Sequence, residues 1–355
     1  MKEKANISPG LSICIPTYNR KNFLEKLINQ LEQLIISKSL DIEVCVSDNY
    51  SDDGTWEFLK EVASKHPAFI IQQQDRNEGG DRNQIAVANL ASSKWILVMG
   101  DDDLIVEGNL INLLEELPSL EKYDFVLLNT KISAERNLIN LDHGVLTSSQ
   151  LKKNLKKSTS EYGFIGSHLM SQKVVVEKNK RNFKDMKAWS GFSTFIYSST
   201  QAEVFFYSKP IVWQDANGQA LTWQPNHWFQ LSLRMLQILI NSSKESRDLS
   251  FSKDIITGNL FSINFFKIFY ASFLYKEHET LAVINSEEYI DVASLMPPHT
   301  RFIHKILCSM IFRIPTRAHH FFIQKILKKD LEKYMFNGEV DQRDGIKDYP
   351  DMLNK

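Results

Sequence analysis

Short apolar runs that stop abruptly at polar clusters recur along the first third of the chain, separated by stretches with helical spacing. Leu11 to Ile15 is such a run; Pro16 stops it, and Thr17-Tyr18-Asn19-Arg20 form a polar loop. Phe23, Leu24, Leu27, Ile28, Leu31, Leu34 and Ile35 then recur at helical intervals, which predicts an amphipathic helix. Ile42 to Val46 is a second buried strand, running out into Ser47-Asp48-Asn49. Ser51-Asp52-Asp53-Gly54 supplies a turn and an N-cap for a helix carrying Trp56, Leu59 and Val62. A weaker strand, Phe69 to Gln72, leads through polar Asn77 to Asn83 into a helix with Ile85, Val87 and Leu90. Trp95 to Met99 is short, apolar and partly β-branched, so it reads as a strand buried on both faces. It ends in Gly100-Asp101-Asp102-Asp103. Strands alternating with helices at this spacing predict βαβ units: an α/β fold, a mostly parallel sheet flanked by helices.

Beyond this stretch the pattern loosens. Leu110 to Leu117 reads as an amphipathic helix and Asp124 to Asn129 as a further strand. Thr147 or Ser148 caps a helix through Leu151 and Leu155, whose Lys152, Lys153, Lys156 and Lys157 form a solvated face. His227 to Ile240 and Ile256 to Tyr275 are helical in pattern, with a polar linker over Asn241 to Asp248. From Arg301 to Lys329 apolar residues alternate with basic ones and no acidic residue intervenes. Such a stretch suits an anionic membrane surface, the reading favoured here over a helix that packs its apolar stripe on the protein and leaves its lysines in water. Gly338 to Lys355 is polar and reads as a loose tail.

Three adjacent aspartates repel one another and would cost stability unless something cationic sits beside them. In open α/β sheets, ligands bind at the carboxyl ends of the strands. Oxygen-only ligands suit Mg²⁺ or Mn²⁺ rather than zinc. Taken singly, each strand end has a bland reading: Tyr18 a loop packer, Asp48 an Asx-turn residue, Arg82 an exposed helix charge, the aspartates an acidic turn. Together, Tyr18 with Arg20, Asp48, Arg82, and Asp101 to Asp103 sit where a parallel sheet brings its ends to one edge, suited to a phosphorylated ligand. No G-x-G-x-x-G follows the first strand and no P-loop motif occurs, which excludes those nucleotide sites. Asp48 to Gly54 fails as a calcium loop at Tyr50 and Asp53.

Composition adds bounds. The 355 residues are 43% hydrophobic with a formal net charge of −1, an ordinary globular balance with no nucleic-acid signal. The three cysteines have no metal-ligand spacing and read as buried reduced thiols. The N-terminus lacks the apolar core of a signal peptide, and the nearest approach to a membrane span, Leu260 to Tyr275, is interrupted by Lys267. A cytoplasmic protein is expected.

Four motifs occur in order: Leu11-Ser12-Ile13-Cys14-Ile15-Pro16-Thr17-Tyr18-Asn19-Arg20; Val46-Ser47-Asp48-Asn49 with Ser51-Asp52-Asp53-Gly54-Thr55; Asn77-x-Gly79; and Gly100-Asp101-Asp102-Asp103. Over residues 11 to 130 they closely resemble the family 2 glycosyltransferases, inverting, metal-dependent sugar transferases of the GT-A fold. Asn77 to Asn83 and, more weakly, Ser208 to Val212 are similar to the abequosyltransferase-like O-antigen branch of that family. The resemblance implies a nucleoside-diphosphate sugar donor held by Pro16, Tyr18, Arg20, Asp48, Asn77, Asp81, Arg82, Asp101 and Asp102. Tyr18 and Asp48 would hold the base, Arg82 would lie near the diphosphate, and Asp102 would contact ribose or metal. Asp103 would bind Mn²⁺ or Mg²⁺ bridging the diphosphate. Relatives often carry Asp-x-Asp-Asp where this chain has Gly100 at the first position.

The same resemblance divides the chain into a GT-A domain, 1–225, with a nucleotide-sugar half (11–130) and an acceptor half (131–225). A helical region, 226–355, follows. The implied acceptor is a glycan or undecaprenyl-linked oligosaccharide of O-antigen or capsule synthesis, with peripheral contact at the cytoplasmic face of the inner membrane. Gly163 to His168 and Trp189 to Ser193 line an acceptor pocket or simply pack a core. An inverting transfer needs a base for the acceptor hydroxyl. No Glu-Asp pair lies near Trp189 to Tyr197, and Asp185 is the nearest carboxylate, with Glu161, His168, Glu203 and Asp215 behind it. Two alternatives remain. A sugar-phosphate nucleotidyltransferase needs a glycine-rich loop that Pro16 to Arg20 does not provide, and a non-catalytic GT-A binding module gains from the missing acidic pair.

Overall fold

The computed structural model describes residues 10–134, 136–157, 159, 162–175, 192, 195–196, 199, 203–214, 232–241, 249–261 and 285–311. The chain forms two compact units, Met1–Lys152 with Ser160–Gln214, and Lys153–Thr159 with Asp215–Lys355.

In the first unit the elements follow as β1 (Leu11–Thr17), α1 (Lys21–Lys38), β2 (Ile42–Asp48), α2 (Thr55–Lys65), β3 (Phe69–Gln73), α3 (Gly80–Leu90) and β4 (Trp95–Val98). Then come β5 (Leu104–Ile105), α4 (Glu107–Leu120), β6 (Phe125–Ser133), β7 (Arg136–Asn137), β8 (Gly144–Leu146), α5 (Ser148–Lys157, of the second unit from Lys153 on), β9 (His168–Ser171) and β10 (Val204–Trp213). The sheet order is β3-β2-β1-β4-β9-β6-β10-β5, with β7 on β6 and β8 on β10. β3, β2, β1 and β4 are parallel, as the βαβ pattern predicts. Past β4 the sheet is mixed: β9 runs antiparallel to both β4 and β6, β10 is parallel to β6, and β5 is antiparallel to β10. The carboxyl ends of β1, β2, β3, β4, β6 and β10 therefore share one edge, and the aspartates between β4 and β5 span that edge.

The apolar runs are buried because helices cover the sheet. Leu11, Ile13, Ile15, Val44, Val46, Trp95 and Leu97 join Leu24, Leu27, Ile28 and Leu31 of α1 in one core. Each such side chain contributes roughly 1.5–3 kcal/mol on burial. That outweighs the lack of a side-chain cap from Arg20 at the start of α1. Asp53 instead accepts from the Lys21 backbone N–H at 3.0 Å. Gln30 of α1 bonds both the N–H and the carbonyl of Ile105, each at 2.9 Å, which fastens β5. Pro16 does not end β1, which continues to Thr17 with Pro16 in register with Ser47. The pairing of β1 with β4 stops at Cys14, so Pro16 stands where no ladder partner on that side needs its missing N–H. Cys14, Cys45 and Cys308 are free and buried, as expected.

In the second unit, Asn259 of α6 (Leu249–Leu260) donates to the carbonyls of Leu155 and Ile255 and accepts from the Thr159 N–H at 3.2 Å. α7 (Glu287–Ser294) is capped by Ser286, which accepts from the Tyr289 N–H. α8 (Pro298–Ile311) turns His304 and Cys308 inward, and the Tyr289 hydroxyl lies 3.0 Å from His304 Nδ1. Its Phe302, Ile303 and Ile306 are exposed. The remainder of the basic stretch to Lys329 lies outside the described residues. Among the described residues no helix is long and apolar enough to cross a membrane.

Candidate functional site

The acidic turn is built by its first residue. A Cβ on Gly100 would meet Asp102 Oδ1 and Asp103 Oδ2, each at 2.9 Å, so glycine leaves room for both carboxylates to fold back over the backbone. Asp101 and Asp103 are buried. Asp101 accepts from the Thr17 hydroxyl at 2.7 Å and from Arg20 Nη1 at 2.8 Å, and Arg20 Nη2 lies 3.0 Å from Asp102. One guanidinium thus bridges two of the three carboxylates. Burial pushes Asp101 up to about 6, with Arg20 opposing the shift and Asp102 adding to it. Burial first, then the charges of Asp102 and Asp101, holds Asp103 well above the usual carboxylate range.

Asp103 Oδ1 is buried with no hydrogen-bond partner. An orphaned carboxylate oxygen in an acidic, oxygen-only setting fits a hard divalent cation. Among the described residues no group of three or more His, Cys, Asp or Glu side chains is disposed as a complete metal cage.

The second cluster lies at the ends of β1, β2 and β3, where Thr17, Asp48 and Gln73 are in register. Asp48 is fully buried and accepts from the Ser51 N–H at 3.2 Å, the Ser51 hydroxyl and Gln73 Nε2 at 2.8 Å. It therefore closes an Asx turn and also presents a satisfied carboxylate at the sheet edge. Asn49 donates to Asn77 Oδ1 at 2.8 Å and accepts from the Glu78 N–H, tying the loop before α3 to β2. Asn83 reaches back from α3 to the carbonyls of Thr17 and Ser47, at 3.2 and 2.9 Å. Tyr18 stands exposed just beyond β1, and Tyr50 just beyond β2.

Thr17, Arg20, Asp101, Asp102 and Asp103 are thus in one site. Pro16 and Asp48 hold the adjoining strand ends, and Asn77 is bound into the β2 loop. Asp81 is half-buried in the first turn of α3. Arg82, also in the first turn of α3, is exposed and paired with Glu78 at 2.7 Å. His168 is packed in the core, 2.8 Å from the Tyr162 carbonyl and stacked on Phe195. Asp185 lies outside the described residues. Sequence reasoning gave no role to Thr17, Gln73 or Asn83. Thr17 and Asn83 lay inside the motifs, and Asn83 carried a signal as a polar residue before an apolar helical stripe.

Residues 12–179 match the family model described as Glycosyl transferase family 2. Over that segment the chain is similar to the family 2 glycosyltransferases. Abequosyltransferase RfbV of Salmonella typhimurium is 39% identical over 110 residues, 31% of this chain and 33% of that protein. A GalNAc(5)-diNAcBac-PP-undecaprenol β-1,3-glucosyltransferase of Campylobacter jejuni is 29% identical over 133 residues, 37% of this chain and 41% of that protein. The chain thus spans well under half the length of these two curated relatives. The crystal structure of TarS from S. aureus superposes with a TM-score of 0.59 at 16% identity, covering 92% of this chain and 54% of that one. TarS 1–349 in complex with UDP-GlcNAc gives 0.58 at 15% identity, covering 82% of each chain. At such identities the likeness establishes the fold, which is GT-A. The family 2 match ends at residue 179, so β10, which completes the sheet, is supplied by chain beyond it.

Proposed function

We propose that this chain is an inverting glycosyltransferase that moves a hexosyl or deoxyhexosyl group from a nucleoside-diphosphate sugar to a glycan hydroxyl. The observation that carries this reading is the convergence of Thr17, Arg20, Asp48 and the acidic turn on one sheet edge within the segment similar to the family 2 glycosyltransferases. The acceptor hydroxyl attacks the anomeric carbon, the bond to the diphosphate oxygen breaks, and the nucleoside diphosphate leaves with that electron pair. Asp185 is the proposed recipient of the hydroxyl proton. Tyr18 and Asp48 receive the base, and Arg20 holds Asp101 and Asp102 in place. Asp103 and Asp102 are the residues suited to Mn²⁺ or Mg²⁺, which when bound supplies positive charge to the leaving diphosphate. A domain of residues 1–225 carries donor and acceptor halves, and residues 226–355 form the helical extension.

The names of the relatives support an acceptor of the undecaprenyl-linked oligosaccharide class in bacterial surface polysaccharide synthesis. A cytoplasmic enzyme resting on the inner membrane accords with α8, where exposed Phe302, Ile303 and Ile306 neighbour Arg301 and Lys305. Co-sedimentation with phosphatidylglycerol vesicles that survives Phe302→Asp with Ile306→Asp would remove the membrane part.

The test of the donor site is a thermal-shift panel of UDP, CDP, dTDP and GDP, each with and without Mn²⁺. One diphosphate should raise the midpoint with metal, by the equivalent of about 2.7 kcal/mol at a hundredfold excess over Kd. Asp103→Asn should lose the metal-dependent part. If no nucleotide stabilises the protein, the donor site is wrong.

A further inference from the structure

The sheet order leaves one large aromatic residue at the catalytic edge that the donor site does not use. Trp213 is the last residue of β10, and β10 ends on the same edge as β1, β2 and β4. It is 41% exposed. Its antiparallel partner in β5 is Leu104, the residue directly after Asp103, and Val212 pairs with Ile105. Cross-strand and sequential Cα spacings put Trp213 within about 10 Å of Asp103. This corner is fixed by more than the ladder: Val106 N–H donates to the Ile211 carbonyl at 2.8 Å, and Asn109 Nδ2 donates to the Pro210 carbonyl at 2.8 Å. Lys131 Nζ lies 4.9 Å from the centre of the indole, over its ring, and the Gln214 N–H donates to the Lys131 carbonyl. The ring is therefore held in orientation by a cation while part of it stays open to solvent.

Position decides what the ring is for. Asp48, at the end of β2, lies on one side of the acidic turn; β10 and β5 lie on the other. A nucleotide anchored at Asp48 with its diphosphate at the aspartates extends its sugar end toward β10. An oriented, half-open indole beyond that point offers an apolar face to the C–H face of a pyranose, with the Lys131 ammonium beside it for hydroxyl or phosphate oxygen. We infer that Trp213, oriented by Lys131, is the platform on which a pyranose ring of the acceptor glycan stacks. The inference rests on the transferase reading and adds the residue that recognises the acceptor.

The full chain is tested by ligand-observed saturation-transfer NMR. The probes are methyl pyranosides of glucose, galactose, mannose, rhamnose and N-acetylglucosamine. The same protein is run against the nucleoside diphosphate panel with Mn²⁺. At least one glycoside should bind wild-type protein, bind Trp213→Ala at least about tenfold more weakly, and bind Trp213→Phe nearly as well as wild type. The nucleotide shift should be unchanged in both variants, which also shows that they are folded. A panel in which no glycoside binds, or in which Trp213→Ala binds as well as wild type, overturns the platform. So does loss of the nucleotide shift in Trp213→Ala, which would assign the ring to the donor or to the fold. Absence of that shift in wild-type protein would instead remove the transferase reading, leaving the glycoside result readable by itself.

Discussion

Replacing Asn83 by aspartate keeps the side chain's size and removes the two N–H donors that join α3 to β1 and β2. The side chain is buried, with Nδ2 donating to the Thr17 and Ser47 carbonyls and Oδ1 accepting from the Ser47 hydroxyl at 2.7 Å. In the variant a carboxylate oxygen faces two carbonyl oxygens. A buried acceptor left without its donor costs about 1–3 kcal/mol. The Thr17 carbonyl keeps the Asn49 N–H at 2.9 Å, and the Ser47 carbonyl stays in the β1–β2 ladder, so both losses sit toward the low end. The expected total is about 2–4 kcal/mol, larger if the carboxylate stays ionised. Native-state hydrogen exchange is the suitable assay, because the chain has two compact units and a single unfolding midpoint would mix them. Amides of β1 and β2 should lose that much protection free energy while those of α6 keep theirs. Protection in β1 and β2 within about 0.5 kcal/mol of wild type would refute the brace, since changes of that size are ordinary for surface substitutions.

Arg20→Ala leaves Asp101 and Asp102 without their cation and should destabilise the first unit by about 2 kcal/mol, below the usual buried-pair figure because Arg20 is partly exposed. Arg20→Lys should recover less than half of this, as one ammonium cannot reproduce a fork shared between two carboxylates; full recovery of the melting midpoint would contradict the bidentate account. Gly100→Asp restores the Asp-x-Asp-Asp pattern of many relatives yet should lower both midpoint and transfer rate, because its Cβ collides with two carboxylate oxygens; equal or higher activity would show that the turn relaxes. His304 is held down to about 4 by burial. The unfolded chain therefore takes up a proton near its ordinary 6.5 that the folded one refuses. The second unit should lose up to about 3 kcal/mol as pH falls from 6.5 to 4, with no further loss from this group below that. His304→Gln should flatten that slope in exchange of α8 amides, and an unchanged slope would assign it elsewhere.

The parallel half of the fold was legible because β1, β2 and β4 are buried on both faces and so carry unbroken apolar runs. The mixed half was not, because β9 and β10 are paired by contacts far apart in sequence. β10 also contains Pro210, with register shifts on either side of it where it meets β6. In the site, the acidic turn announced itself as charge that no local structure explains. Arg20 was expected near a ligand, and its grip on Asp101 and Asp102 needed the fold, since 81 residues separate Arg20 from Asp101. Arg82 was placed near a ligand by its strand end; the fold adds its exposed pairing with Glu78. Trp213 directly follows Ser208 to Val212, a stretch with only a weak resemblance behind it, and its place beside the acidic turn needed the pairing of β10 with β5.

The span from Val98 to Leu104 has its two ends woven into different strands of one sheet, β4 on β1 and β5 on β10. Most surface loops tolerate insertion and deletion, because nothing downstream depends on their length. Here one residue added or removed would slip β5 against β10 by one position, exchanging buried Ile105 for Leu104 at the face it packs. Diversification of this protein's specificity is thereby steered away from the length of the acidic segment and onto the side chains that border it.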